Sequence, residues 1–260
     1  MTEPFELHEG ESPLIVSFPH VGTELGEFVE GMTAAAPVLA DTDWHLPRLY
    51  DFTADMGATR LIARYSRYVI DLNRDPSGAS LYPGQNVTEL CPTSTFAEEP
   101  LYLPGRTPDR AEVGRRVSLI WKPYHETLKA QIARVVAKHG HALLWDAHSI
   151  RSRVPRFFEG RLPDFNLGTN LGATCGHERE RRVALVAEAA EGYSAVLNGR
   201  FKGGYITRRY GRAAGPVESF QLELAQCTYM DESQPFGYDP ALAAGVQPVI
   251  RRMIEAFVAP

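Results

Sequence analysis

Cysteine is scarce in this chain: Cys91, Cys175 and Cys227 are the only three in 260 residues. Their number is odd, their spacings are long and no Cys-x-x-Cys pair occurs, which argues against a disulfide framework or a structural zinc knuckle and favours buried free thiols. Positive charge is also short, with 27 Lys and Arg against 32 Asp and Glu, a net charge of -5 and a pI near 5.9. That leaves no basic excess to neutralise phosphates, so a nucleic-acid partner is excluded. No apolar stretch approaches the ~20 residues a membrane span requires. The opening MTEPFELHEGESPLIVSFPH carries acids where a secretory signal needs Lys or Arg, and Ser17 interrupts its apolar run. A cytoplasmic protein without a membrane partner is expected. No GxGxxG, Walker, GxSxG or HExxH pattern is present, nor any internal repeat or low-complexity tract, which weakens the nucleotide and serine-nucleophile readings.

What is present is an ordinary globular composition, 44% hydrophobic and 23% charged over 28.9 kDa, of a size suited to one α/β domain spanning 1–260. Short apolar runs at Leu14–Phe18, Thr59–Ala63, Tyr68–Asp71, Ala142–Asp146, Ser194–Leu197 and Ser219–Leu224 read as strands. They are almost continuously apolar, which suits strands covered on both faces. Helical patterns lie between them. Asp43–Met56 has Asp41 or Thr42 as N-cap and Gly57 as stop; Pro108–His139 should be kinked or divided at Pro123 and is closed by Gly140. Arg179–Glu191 reads as a surface helix and Pro240–Val258 as a final amphipathic one. The alternation predicts an α/β fold, a mostly parallel mixed sheet with helices on both faces, whose ligands bind beyond the carboxyl ends of the strands. The loop-rich stretches 75–107 and 151–178 read as binding-site walls or lids.

Several polar residues fall where those strands end. His20 follows the first apolar run beside a Gly turn and can project into a cleft. Asp146 and His148 sit two apart, so an extended backbone points both to one face, where the carboxylate can orient the imidazole. Asp41 and Asp43 flank Thr42; either can cap a helix or ligate a cation. His45 reads as packing or surface. Two His and one carboxylate with an open position form a catalytic zinc arrangement. Glu223 shares a face with Gln221, opposite Leu222 and Leu224, and can act as general base and acid. Asn73 and Arg74 suit carboxylate recognition or an ion pair with Asp71 or Asp75; Arg64 and Arg67 upstream read as surface residues. Among Arg200, Lys202, Arg208 and Arg209, which flank Gly203 and Gly204, Arg208 is the expected contact to an anionic ligand.

The blocks VSFPHVGTEL, DTDWHLPRLYDF, YVIDLNRDP, LLWDAHSIRSRVPRFFEGRLPDFNLGT, LNGRFKGGYITRRYG and QLELAQCTYMDE, in this order from about residue 12 to 232, resemble those of the N-formylglutamate deformylase (N-formylglutamate amidohydrolase) family. The resemblance implies a zinc-carboxypeptidase-like α/β fold and hydrolysis of N-formyl-L-glutamate to formate and L-glutamate, a step of histidine degradation. It implies Zn2+, or another divalent metal, on His20, Asp43 and His148, with Glu223 as acid/base and Asn73-Arg74 on a substrate carboxylate. Glu24, four residues after His20, competes with Asp43 as the carboxylate ligand. The expected partner is a small molecule bearing carboxylates. The alternatives are a deacylase of another N-acyl acidic amino acid or small peptide, and a catalytically silent binder of an acidic metabolite.

Overall fold

Alternate residues of the central strands enter two different apolar layers, and that alternation organises the molecule. The computed structural model describes residues 3–79 and 87–260; residues 80–86, part of the expected 75–107 loop, lie outside the described residues. Among the described residues seven strands form one sheet: β1 (Phe5–His8), β2 (Leu14–Phe18), β3 (Thr59–Ala63), β4 (Ala142–Ile150), β5 (Phe165–Gly168), β6 (Ala195–Leu197) and β7 (Val217–Ala225), in the order β1-β3-β2-β4-β7-β5-β6. β1 runs antiparallel to β3 and β5 antiparallel to β7, while the central β3-β2-β4-β7 block is parallel.

Leu14, Val16 and Phe18 of β2, Leu143, Trp145 and Ala147 of β4, and Phe220, Leu222 and Leu224 of β7 belong to one buried layer. Against it lie α4 (His177–Glu188) and α6 (Pro240–Val258), through Val183, Ala187, Val246, Ile250 and Phe257. The opposite layer takes Ile15, Leu61, Ala63 and Leu144, covered by Tyr124, Leu128 and Ile132 of α3 (Lys122–His139). The short helices α1 (Leu46–Leu49), α2 (Arg110–Arg116) and α5 (Tyr205–Tyr210) complete the set named here. Helices thus cover both faces, as the continuous apolar strands predict. No helix among the described residues is long and apolar enough to cross a membrane.

Trp145 is fully buried and stacks on Phe220, with centroids 5.4 Å apart, and against Phe257 at 5.6 Å. Trp145→Ala is expected to cost about 3–5 kcal/mol of stability, read as a lowered urea midpoint. An unchanged midpoint would contradict this packing.

Local structure departs from expectation in identifiable places. Tyr68–Asp71 is not a strand but a turn, with Val69 N–H bonded to Ser66 O at 2.9 Å. Its apolar side chains are buried in the layer beneath α3, and burial alone cannot tell a core turn from a core strand. β1 and β5 carry no long apolar run and were not expected. The helix expected over Asp43–Met56 starts only at Leu46, because His45 before it sits in the left-handed region at φ 60°, which no helix interior tolerates, and after Tyr50 it gives way to a 3₁₀ turn at Asp51–Thr53. Pro123 does not divide its helix. A π-helical segment, Val117–Trp121, precedes it; the wider turn absorbs the missing N–H and the ring. The helix at 177–188 is less superficial than expected, since Val183, Ala184 and Ala187 are buried. Cys91 and Cys175 are buried thiols, while Cys227 is half-buried.

Candidate metal centre

On the α3 side of β4 the side chains read Leu144, Asp146, His148, so the face turns from apolar to polar toward the carboxyl end of the strand. The neighbours turn with it. Parallel register sets Ser17 beside Asp146, Gln221 beside Asp146 and Glu223 beside His148. His20 follows β2 by two residues, and its carbonyl accepts the Asp43 N–H at 3.0 Å, which brings the next loop across the strand ends. Asp71 and Asn73 arrive on the turn after β3. The residues therefore converge beyond the carboxyl ends of parallel strands, the place this topology reserves for ligands.

His20, Asp43 and His148 offer ligand atoms that lie within 4.8 Å of one another, and all three residues are buried. Asp43 Oδ2 is 3.1 Å from His148 Nδ1 and 3.8 Å from His20 Nδ1. The far nitrogen of each ring is held from behind. His20 Nε2 meets Asp71 Oδ1 at 2.6 Å, and His148 Nε2 lies 2.9 Å from Asn73 Nδ2 and 3.3 Å from Asp146 Oδ1. Carboxylates behind the imidazoles leave each Nδ1 directed at Asp43, the usual support of a metal-binding histidine. Asp43 Oδ1 and Asp146 Oδ1 are buried and accept no hydrogen bond among the described residues. The nearest cationic groups are Arg67 Nη1, 3.7 Å from Asp43 Oδ1, and the His148 ring, 3.3 Å from Asp146 Oδ1; a buried carboxylate oxygen without a hydrogen bond is costly unless a cation meets it. The three donors, with the orphaned Asp43 Oδ1, fit a divalent ion of the kind that takes nitrogen and oxygen ligands.

Burial and the neighbouring charges act on these groups in opposite senses. Burial alone would lower the His148 imidazole, but the Asp146 and Asp43 carboxylates outweigh it and hold it well above its ordinary value. Burial, helped by Arg67, lowers His20. Burial pushes Glu223 up to about 8, with Asp43 and Asp146 adding to the rise and His148 opposing it. Against the same burial, His20, Arg74 and Arg67 keep Asp71 well below the carboxylate range.

A cavity opens over this cluster, lined by His20, His148 and Glu223, by the cations Arg67, Arg74 and Arg200, and by Phe96, Phe157 and Phe201. Asn73 and Arg74 line it as expected, but Arg74 does not simply pair with a neighbouring acid. Its guanidinium donates to Thr88 O at 3.1 Å, Thr88 Oγ1 at 3.0 Å and Asn73 O at 3.1 Å. The carbonyls flanking Asn73 are pinned from α3 and its approach: Trp121 Nε1 donates to Arg74 O at 3.1 Å and His125 Nε2 lies 2.8 Å from Leu72 O. Burial lowers His125 to about 4, so the ring is neutral and Nε2 carries the proton, while Tyr210 OH donates to Nδ1 at 3.0 Å. Asn73 Oδ1 accepts the Ile206 N–H at 2.8 Å, which turns its Nδ2 toward His148.

Arg208 is not brought to the cavity wall among the described residues; its Nε donates to Gly203 O at 2.8 Å. Arg67, expected at the surface, is buried and bonds Asp71 Oδ2 at 2.9 Å. Its position four residues before Asp71 was the available sign. Arg64 does sit at the surface, 3.3 Å from Glu6. Glu24 lies outside the cluster, near Val21 and Arg64 in a separate depression, so Asp43 is the carboxylate at the centre. Asp41 instead ties loops together, accepting from Tyr68 OH and Phe96 N, each at 2.7 Å. His45 packs, with Nε2 2.7 Å from Phe236 O.

Residues 12–230 match the model of the N-formylglutamate amidohydrolase family. The chain is 52% identical to an N-formylglutamate deformylase of Pseudomonas aeruginosa, over 100% of this chain and 97% of that protein. It is 48% identical to an N-formylglutamate deformylase of Pseudomonas putida, with the same coverage. The crystal structure of N-formylglutamate amidohydrolase from Ralstonia eutropha JMP134 superposes with a TM-score of 0.80 at 28% identity, covering 98% of this chain and 97% of that one. The gene product Atu2144 of Agrobacterium tumefaciens shares the fold, with a TM-score of 0.73 at 16% identity over 98% of this chain and 94% of that chain.

Proposed function

The chain belongs to the N-formylglutamate amidohydrolase family, and on that premise we propose that it hydrolyses the formyl amide of N-formyl-L-glutamate to formate and L-glutamate. The observation that carries the reading is Glu223, buried and set across the strand pair from His148, beside a three-residue cluster fit for a cation. A site built only to bind would gain nothing from a buried carboxyl raised toward neutrality; a hydrolase needs one there. We assign His20, Asp43 and His148 as ligands of Zn2+ or another divalent ion, which when bound supplies a Lewis acid for the carbonyl and an acidified water. Glu223 takes a proton from the attacking water and returns it to the amide nitrogen as the C–N bond breaks, so the amine leaves neutral. Asp71 and Asp146 keep the two imidazoles oriented. Arg67 holds Asp71 ionised and adds positive charge to the wall where an oxyanion develops. Asn73 and Arg74 receive the α-carboxylate, which fixes the amide against the cluster. Histidine degradation in the cytoplasm is the setting proposed for this reaction.

The test is formate release from a panel of N-acyl amino acids. N-formyl-L-glutamate is expected to exceed N-formyl-L-leucine in kcat/KM by ~10²-fold or more, since an unpaired charged pocket rejects substrates lacking its partner, and to exceed N-acetyl-L-glutamate, which keeps both carboxylates and adds one methyl, by about 10-fold or more. A preference for the acetyl compound would move the assignment to another N-acyl acidic amino acid. Absence of turnover on every member, with metal bound, would leave a silent binder.

A further inference from the structure

We propose that Gln226 is a positioning residue, which sets the Asp43 carboxylate for the cation from the turn that follows the Glu223 strand; this rests on the proposed metal centre. β7 ends at Ala225, and a 3₁₀ turn, Gln226–Thr228, follows it. Gln226 O accepts the N–H groups of Tyr229 and Met230 at 3.1 and 3.0 Å, so the Gln226 and Tyr229 side chains leave one tight turn. Both are buried, as are Thr42 and Ser149 beside them.

The number of protons fixes the direction of each bond in this group. Gln226 Nε2 carries two, and gives one to Thr42 O at 2.8 Å and one to Ser149 Oγ at 3.3 Å. Tyr229 OH carries one, and lies 2.8 Å from both Trp44 O and Ser149 Oγ. A carbonyl only accepts, so the phenol donates to Trp44 O and the Ser149 hydroxyl donates to the phenol. Ser149 in turn gives its backbone N–H to Asp43 Oδ2 at 3.1 Å, and the Asp43 N–H goes to His20 O at 3.0 Å. Gln226 therefore joins the peptide that precedes Asp43 to the residue whose N–H meets the Asp43 carboxylate.

What singles out Gln226 is that the fold has little use for its amide. Thr42 O also accepts the Trp44 N–H at 2.9 Å, and Ser149 Oγ has Tyr229 as a partner, so neither is orphaned when the amide is removed. Gln226 Oε1 is buried and accepts no hydrogen bond among the described residues, and a buried amide oxygen left unpaired costs stability. An apolar side chain of the same length would serve folding as well. Both side-chain bonds that the amide does make bear on Asp43.

The experiment compares wild type with Gln226→Met and with Gln247→Met, each as the full chain. Gln247 makes a tie of the same kind on α6, its Nε2 donating to Leu49 O at 2.8 Å. Zn2+ affinity is read by competition with a chromogenic chelator. The urea midpoint and the exchange rate of the Ser149 amide are read on metal-free protein. Gln226→Met is expected to weaken Zn2+ binding by about tenfold or more, the loss that follows when the support behind a metal ligand is removed. Its midpoint should hold or rise, which a merely structural tie would not allow. Gln247→Met should leave the affinity as it is. Unchanged affinity in Gln226→Met, a loss accompanied by a lowered midpoint, or an equal loss in Gln247→Met would each overturn the assignment. Wild type that takes up no Zn2+ would overturn the metal centre itself. The hold on Asp43 is then decided by the Ser149 amide: faster exchange in Gln226→Met upholds it, and equal exchange removes it.

Discussion

Glu223→Gln should lower kcat for formate release by ~10³-fold, the loss expected when a positioned acid/base is removed. The amide is nearly isosteric with the carboxyl but cannot accept the proton of an attacking water or deliver one to nitrogen. Glu223 is 8% exposed and pairs in register with His148 on the neighbouring strand, so no bulk base can easily take its place. Metal content and the unfolding midpoint should hold, since Glu223 lies outside the three-ligand cluster. The measurement is single-turnover formate release alongside metal analysis of the same preparation. Retention of more than about a tenth of the wild-type rate, well short of a general acid/base loss, would remove Glu223 from proton transfer.

Asp43→Asn is expected to strip the protein of its divalent ion and to reduce formate release by ~10³-fold or more. The substitution keeps the shape and an acceptor for the Ser149 N–H, which Asp43 Oδ2 takes at 3.1 Å, and it deletes only the charge. In wild type, treatment with a chelator should abolish turnover and lower the unfolding midpoint, and added Zn2+ should restore both by binding the folded state. The physical ground is the burial of Asp43, Asp146 and Glu223 together, a concentration of acid that Arg67 meets from one side at 3.7 Å from Asp43 Oδ1 and that a bound cation would meet at its centre. A full equivalent of metal in the Asp43→Asn protein, or chelated wild type working at an undiminished rate, would dismantle the centre as described.

The residues that converge were visible in the chain because strand periodicity and polarity conflict at them. A buried strand that reads Leu-Leu-Trp-Asp-Ala-His has to turn its Asp and His to one side, and the sheet gives that side a purpose. β2, β3, β4 and α6 were legible for a related reason, since their apolar patterns are long or clean. β1 and β5 were not, because a four-residue edge or antiparallel strand with mixed polarity carries little periodic signal. Tyr68–Asp71 misled in the opposite sense: its apolar character reflects burial of a turn. Arg67 escaped notice because an arginine is most often solvated, and its spacing of four residues to Asp71 becomes a contact only once the intervening turn folds. The exchange of Arg208 for Arg200 at the wall depends on how the 198–211 segment winds into α5, which glycine-rich sequence leaves open.

The five residues Val117–Trp121 have a consequence for the candidate site. Widening one coil of a helix by a residue offsets everything downstream by about 100° around the axis. Trp121, the last residue of that segment, and His125, one turn on, hold the carbonyls of Arg74 and Leu72, the residues on either side of Asn73. The angular setting of a long outer helix therefore bears on the aim of an amide that touches the His148 imidazole, and a change confined to that coil would be felt as misalignment at the candidate centre.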